Sequence, residues 1–173
     1  GAGFYEGSTD VTRTYALGEI PQYMKDDFTL VAISNLCLAD AKFKEGISGA
    51  NLDYLARRPF WERNMDFNHG TGHGVGYLLN VHEGPAGFHW RTRGNSICPF
   101  QKGMVITDEP GIYIEGSHGI RLENEVLVCE GEKNEYGQFL HFEIITLIPF
   151  DLDAINPDIM NAEDKERLNT YHA

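Results

Sequence analysis

Glycine stands at every second position of HGTGHGVG, residues 69–76. No other feature restricts the chain as tightly. In a helix, Gly70, Gly72, Gly74 and Gly76 would each cost about 1 kcal/mol relative to alanine. The i, i+4 spacing of His69 and His73 matches a helical metal-binding pair, but no glutamate follows His69, so the helical zinc-peptidase pattern is absent. The stretch is therefore extended. Alternate residues of an extended chain share a face, which puts His69 and His73 on one side. His82 follows within the same glycine- and proline-rich segment, which ends at Pro85. Two of these histidines, one or none are metal ligands on this pattern alone.

Helical patterning comes before this segment and strand patterning after it. Tyr-, Thr- and Val-rich residues open the chain as strands turning at Glu6-Gly7-Ser8. The spacing predicts a helix over 24–44, with Phe28, Val31, Leu36, Leu38 and Ala41 on its apolar side and Asp26 or Asp27 as N-cap. Ser48 opens a second helix through Leu52, Leu55, Ala56, Phe60 and Trp61, with Pro59 expected to kink or end it. MVITDEP (104–110), GIRLENEVLV (119–128) and LHFEIITLIPF (140–150) read as strands, and a short helix is predicted over 162–171. Helices followed by antiparallel-looking strands give an α+β class. A chain of 173 residues, 42% hydrophobic, is large enough for one core.

Charge narrows the partners. Lys+Arg total 14 against 26 Asp+Glu, a formal net charge of −12, so nucleic acid is a disfavoured partner. No apolar run approaches the ~20 residues of a membrane span, and the opening residues do not read as a signal peptide. Cys37, Cys98 and Cys129 are odd in number and widely spaced, which suits reduced thiols in a cytoplasmic protein. The chain starts at Gly1 without methionine, and the expectation is a processed protein or part of a longer one.

The informative polar residues break strand patterning. In GIRLENEVLV the alternation puts Ile120, Leu122, Val126 and Val128 on one face and Arg121, Glu123 and Glu125 on the other. Glu109 ends MVITDE on the parity of Val105 and Thr107, and Asp10 shares a side with Thr12 and Thr14. Taken singly, each reads as a solvated strand face. Taken together, Asp10, His73, Glu109 and Glu123 make an oxygen-rich donor set suited to Mn, Co, Zn or Fe. Three carboxylates held close without a cation would repel and hold their protons more tightly. A divalent cation removes that penalty and lowers the pKa of its water towards 7.

EGSTDVTRT, HGTGHGVG, NVHEGP, TDEPGIY and GIRLENEVLV, in this order, resemble the successive signatures of the Xaa-Pro aminopeptidases, members of the pita-bread metallopeptidase superfamily. The resemblance runs from Gly1 to at least Pro149. NVHEGP, TDEPG and LNTYH are most similar to the cytosolic eukaryotic branch. It implies a curved antiparallel sheet with flanking helices and two divalent cations, commonly manganese with cobalt or zinc as alternatives, held by two Asp, one His and two Glu. Asp10 matches the bridging aspartate, His73 the histidine ligand, Glu109 the first glutamate and Glu123 the bridging glutamate. Hydroxide between the cations would attack the carbonyl before proline. Glu109 would carry the proton to the departing proline nitrogen. His69 and His82 match the two histidines that position substrate and stabilise the tetrahedral intermediate, and Arg121 the arginine that orients the metal carboxylates.

The family's first aspartate ligand would fall just before Gly1. The expectation is thus that residues 1–173 are the C-terminal part of a catalytic domain, lacking its upstream half and N-terminal domains. One cation position would be nominally complete and the other impaired, with weak or no activity in isolation. A peptide with proline second is the implied substrate, and a homodimer is the implied assembly. A prolidase-type dipeptidase and a catalytically silent pita-bread binding module are the competing readings.

Overall fold

The computed structural model describes residues 1–91 and 97–173. It is α+β. The elements are β1 (Ala2–Phe4), β2 (Gly7–Thr9), α1 (Gln22–Ala39), β3 (Lys42–Lys44), α2 (Gly49–Trp61), β4 (Gly72–Val75), β5 (His82–Phe88), β6 (Val105–Asp108), β7 (Gly111–Ile114), β8 (His118–Arg121), β9 (Asn124–Asn134), β10 (Gly137–Ile144) and α3 (Ala162–His172). Among the described residues, six strands form one antiparallel sheet in the order β3-β10-β9-β6-β4-β5. The hairpins β1-β2 and β7-β8 lie outside it.

The side chains sort by strand parity. Ile106, Val126, Val128, Leu140 and Phe142 point to one face of the six-stranded sheet, where Leu38, Ala39, Leu52 and Ala56 of α1 and α2 cover them. The pairs Thr107↔Glu125 and His141↔Cys129 put the odd-numbered neighbours on the opposite face. A second core joins α1 to β7, β8 and α3 through Val31, Ile112, Ile120, Leu122 and Leu168.

Helix α1 is not amphipathic as its spacing suggests. Every residue from Phe28 to Leu36 is buried, because cores lie on more than one side of it. Its polar residues are spent on fixing it in place. The Asn35 amide donates to Asp108 O (2.8 Å) and accepts from Asn124 Nδ2 (3.0 Å). The helix starts after Pro21 rather than at Asp26 or Asp27, and ends at Ala39 rather than continuing to residue 44. Residues 42–44 alternate exposed, buried, exposed and form an edge strand, with lysines outward and Phe43 in the core.

Helix α2 begins at Ser48 as predicted, where the Ser48 amide donates to Asn51 Oδ1 at 3.1 Å. Pro59 lies inside its last turn and does not end it. GIRLENEVLV is two strands, not one. β8 pairs with β7, whereas β9 pairs with β6 and β10, and the break falls at Leu122-Glu123. β10 stops at Ile144, short of residue 150. There the Ile145 amide donates to Glu125 O, and Thr146 Oγ1 takes the Glu125 amide.

The glycines of residues 70–76 serve close packing. A Cβ on Gly72 would lie 1.7 Å from Thr107 O, and one on Gly76 would lie 1.8 Å from Asn80 O. Opposite His73 and Gly74 the register jumps from Gly87 to Glu83, leaving Gly84, Pro85 and Ala86 unmatched. This bulge brings His82 to the Val75 end of β4, beside His73.

Candidate metal centre

The extended backbone from residue 69, the ends of β6 and β8, the start of β9 and the segment after β2 meet on the sheet face away from α1 and α2. Their side chains meet there too. His73 Nε2 lies 3.3 Å from Glu109 Oε1 and 3.5 Å from Asp10 Oδ2. The donor atoms of His73, Glu109 and Glu123 fall within 4.8 Å of one another. So do those of Asp10, His73 and His82. The four residues expected as ligands thus fall, together with His82, into two overlapping sets that share His73. The geometry also admits His82 as a donor, a role the sequence reading did not give it.

The donor set fits a divalent cation. His73 Nδ1 is 2.9 Å from Gly74 O, so it carries the proton and donates to that carbonyl. The lone pair is thereby left on Nε2, which is buried and has no hydrogen-bond partner among the described residues. A neutral imidazole with its second nitrogen fixed by a backbone carbonyl is the form that ligates metals. Around it stand oxygen donors that lack enough positive charge of their own.

The Glu109 and Glu123 carboxylates are held by further residues, and Asp10 is held through its backbone. Thr107 Oγ1 accepts from the His73 amide (2.9 Å) and donates to Glu109 Oε1 (3.1 Å), tying β4 to the glutamate. Arg121 Nη1 lies 3.2 Å from Glu109 Oε2, and its Nε donates to Tyr113 Oη at 2.7 Å. Thr12 Oγ1 donates to Glu123 Oε2, and the Glu123 amide donates to Thr12 O. The Asp10 amide donates to Glu125 Oε1 at 2.7 Å. Burial, and then the neighbouring charges of Glu109 and Asp10, push the Glu123 carboxyl up to about 6 despite the opposing hydrogen bond from Thr12.

His69 faces the same region through Tyr113, with ring centroids 5.4 Å apart. Its Nδ1 is 2.8 Å from Gly70 O and donates there, so its buried Nε2 is an acceptor in the neutral ring. Burial pulls the His69 pKa down and favours that neutral form. Neutral His69 in this tautomer can accept a hydrogen bond from a peptide N–H. To donate to an oxyanion it would need the cationic form that burial opposes. His82 is exposed, and its ring packs edge-on against His73 at 4.2 Å.

Sequence reasoning passed over four supports. Thr12 was visible as the residue two on from Asp10, on the same side. Glu125 shares the parity of Glu123, yet it is buried and holds Asp10 rather than facing solvent. Thr107 carried no motif signal. Neither did Arg57, which is 1% exposed and lies 2.6 Å from both Asp53 and Asp66. Arg57 also donates to the carbonyls of Phe67 and His69, which fixes the entry to the histidine segment.

An antiparallel sheet that gathers carboxylates and imidazole on one face is a metallopeptidase arrangement. Residues 1–130 match the metallopeptidase family M24 and residues 138–173 match the C-terminal region of peptidase M24; the chain belongs to this family. It is 44% identical over 176 residues to a probable Xaa-Pro aminopeptidase P of Botryotinia fuckeliana, a match that covers all of this chain and 27% of the relative. Among solved structures it is similar to an X-prolyl aminopeptidase from Caenorhabditis elegans, described as a cytosolic enzyme with a di-nuclear active site. The TM-score is 0.86 at 40% identity, over 96% of this chain and 27% of that one. An Xaa-Pro dipeptidase from Bacillus anthracis is more distant, with TM-score 0.64 and 33% identity over 83% of this chain and 36% of that one. The chain therefore spans about a quarter of the length of the curated relatives it matches. Among the described residues, no helix is long and apolar enough to cross a membrane.

Proposed function

We propose that residues 1–173 are part of the catalytic domain of an Xaa-Pro aminopeptidase, which removes the first residue of peptides with proline in second place. The observation that carries this reading is the His73 Nε2, without a hydrogen-bond partner among the described residues, set among Asp10, Glu109 and Glu123. Asp10, His73, Glu109 and Glu123 are assigned as ligands of two divalent cations, with manganese preferred by resemblance. One of the two positions is the less completely provided for by these residues. A cytoplasmic location accords with the three free cysteines and the description of the C. elegans neighbour.

Divalent cations held there supply an activated water at neutral pH and draw charge from the scissile carbonyl. Glu109 is the proton carrier, taking the proton of the attacking water and delivering it to the proline nitrogen as that bond breaks. Thr107 on Oε1 and Arg121 on Oε2 fix the carboxylate plane during this transfer. His69 Nε2 accepts from an N–H of the bound peptide, and His82 lines the open side. Arg121 is a positioning residue, because it acts through Glu109 and Tyr113.

The prolidase reading is disfavoured because the relatives at 40–44% identity, the Botryotinia fuckeliana protein and the C. elegans structure, are described as aminopeptidases. The silent binding module is disfavoured because the donor residues are present and converge. The test is release, by the full-length protein that contains residues 1–173, of the N-terminal residue from an Xaa-Pro-Xaa peptide with Mn²⁺, against an Xaa-Ala-Xaa control. Preferential cleavage of the proline peptide, abolished by Glu109→Gln, is expected. Equal cleavage of both peptides would sink the proline specificity.

A further inference from the structure

On the far part of β9 and β10, away from the carboxylate cluster, a second group of donors meets. Cys129 and His141 are directly opposed in the β9–β10 register, and Glu143 follows His141 by two residues. All three therefore stand on one face of the sheet. Their Sγ, imidazole nitrogen and carboxylate oxygen fall within 4.8 Å of one another, and His141 Nε2 is 3.6 Å from Glu143 Oε1. Cys129 and His141 are half-buried and Glu143 is exposed, so the group is anchored in the sheet and open to solvent.

We infer that Cys129, His141 and Glu143 form a separate binding site for a borderline-soft divalent cation of the zinc and cadmium class. The donor set argues for this class. Thiolate plus imidazole selects such ions, whereas the oxygen-rich cluster around His73 suits hard ones. Three protein donors with an open fourth position make a recognised zinc arrangement. Zinc–donor distances of about 2.0–2.3 Å place tetrahedral donors roughly 3.5 Å apart, so closing the site takes little more than ~1 Å of side-chain movement. A β-sheet pair holds the Cys129 and His141 backbones in that register without a ligand. Two lysines border the group: Lys102 is paired with Glu130 at 2.6 Å, and Lys42, opposite His141 in the β3–β10 register, lies over the Phe139 ring at 5.7 Å.

Burial and the adjacent Glu143 carboxylate push the Cys129 thiol up. On binding, the Cys129 S–H loses its proton to solvent and the thiolate, His141 and Glu143 ligate the cation. Binding is thereby coupled to proton release. The bound ion would cross-link β9 to β10.

The test is a Cd²⁺ titration of the whole chain with Mn²⁺ in excess to fill the carboxylate-rich site, following the thiolate-to-cadmium charge-transfer absorption. The expected result is a band saturating at one equivalent, lost in Cys129→Ser and shifted to more than about 10-fold higher Cd²⁺ in His141→Gln and in Glu143→Gln. A second measurement needs no variant: one equivalent of Zn²⁺ should slow alkylation of Cys129 by iodoacetamide, read by peptide mass, and leave Cys98 unchanged. The proposal is overturned by the absence of a one-equivalent band or its persistence in Cys129→Ser. It is equally overturned by an unchanged midpoint in both His141→Gln and Glu143→Gln, which marks a lone thiol, or by Cys129 alkylation indifferent to Zn²⁺.

Discussion

His73 Nε2 stands 3.3 Å from Glu109 Oε1, and one hydroxyl, that of Thr107, holds both partners in place. Thr107 is fully buried. Thr107→Val keeps the shape and removes the hydroxyl, so the His73 amide loses its acceptor and Glu109 its donor. The expected cost is about 1–3 kcal/mol of stability, with divalent-metal affinity down roughly 10–100-fold. Chemical denaturation and calorimetric Mn²⁺ titration measure the two effects, and Thr107→Ser should restore most of both. Unchanged metal affinity in Thr107→Val would remove Thr107 from the account of the site.

Arg57 carries the next prediction. It pairs with Asp53 and Asp66 and donates to the Phe67 and His69 carbonyls. Arg57→Met leaves buried Asp53 without its cation, and breaking a buried pair from one side costs about 3–5 kcal/mol. Thermal unfolding of the variant should show a clearly lower Tm. A Tm equal to that of the parent would show that the network is not structural.

Glu123 sets a pH dependence. Its carboxyl is raised from the ordinary value of 4.5 to about 6, chiefly by burial. The folded state therefore binds the proton more tightly than the unfolded state. Stability from this group is present below about pH 4.5 and is lost as pH rises towards 6, by about 2 kcal/mol across the window. Chelator-treated protein should show that slope, and Glu123→Gln should lack this part of it when the two are compared by denaturation at pH 4.5 and 6.5. Parallel slopes in parent and variant would contradict the assignment. Metal binding runs the other way, since the ligand is the ionised form, so affinity should climb through pH 6.

Residue parity made much of this legible. Alternation correctly placed Ile120, Leu122, Val126 and Val128 in the cores, because a one-residue slip would turn all of them outward. It could not show that β8 and β9 belong to different sheets, since the break at Leu122-Glu123 is marked by no glycine or proline. The helix over 24–44 ran too long for a related reason: a short edge strand such as 42–44 adds only one apolar residue, Phe43, to a helical pattern. At the centre, Asp10, Glu109 and Glu123 stand out as carboxylates on strand-patterned segments, and His73 as an imidazole in a glycine-rich one. Their meeting depends on pairings between distant segments, such as Thr12 with Glu123, that no local spacing encodes. Glu125 and Thr107 were hidden because a buried support and a solvated strand residue look alike until the sheet is assembled.

His73, Glu109, Glu123 and Asp10 are assigned as the ligands of divalent metal. Isothermal titration of the chain with Mn²⁺ at neutral pH is the decisive measurement, alongside His73→Ala and Glu123→Gln, each checked for folding by circular dichroism. The parent should bind saturably, and both variants more than about 10-fold more weakly. No binding by the folded parent, or equal binding by all three proteins, would contradict that assignment.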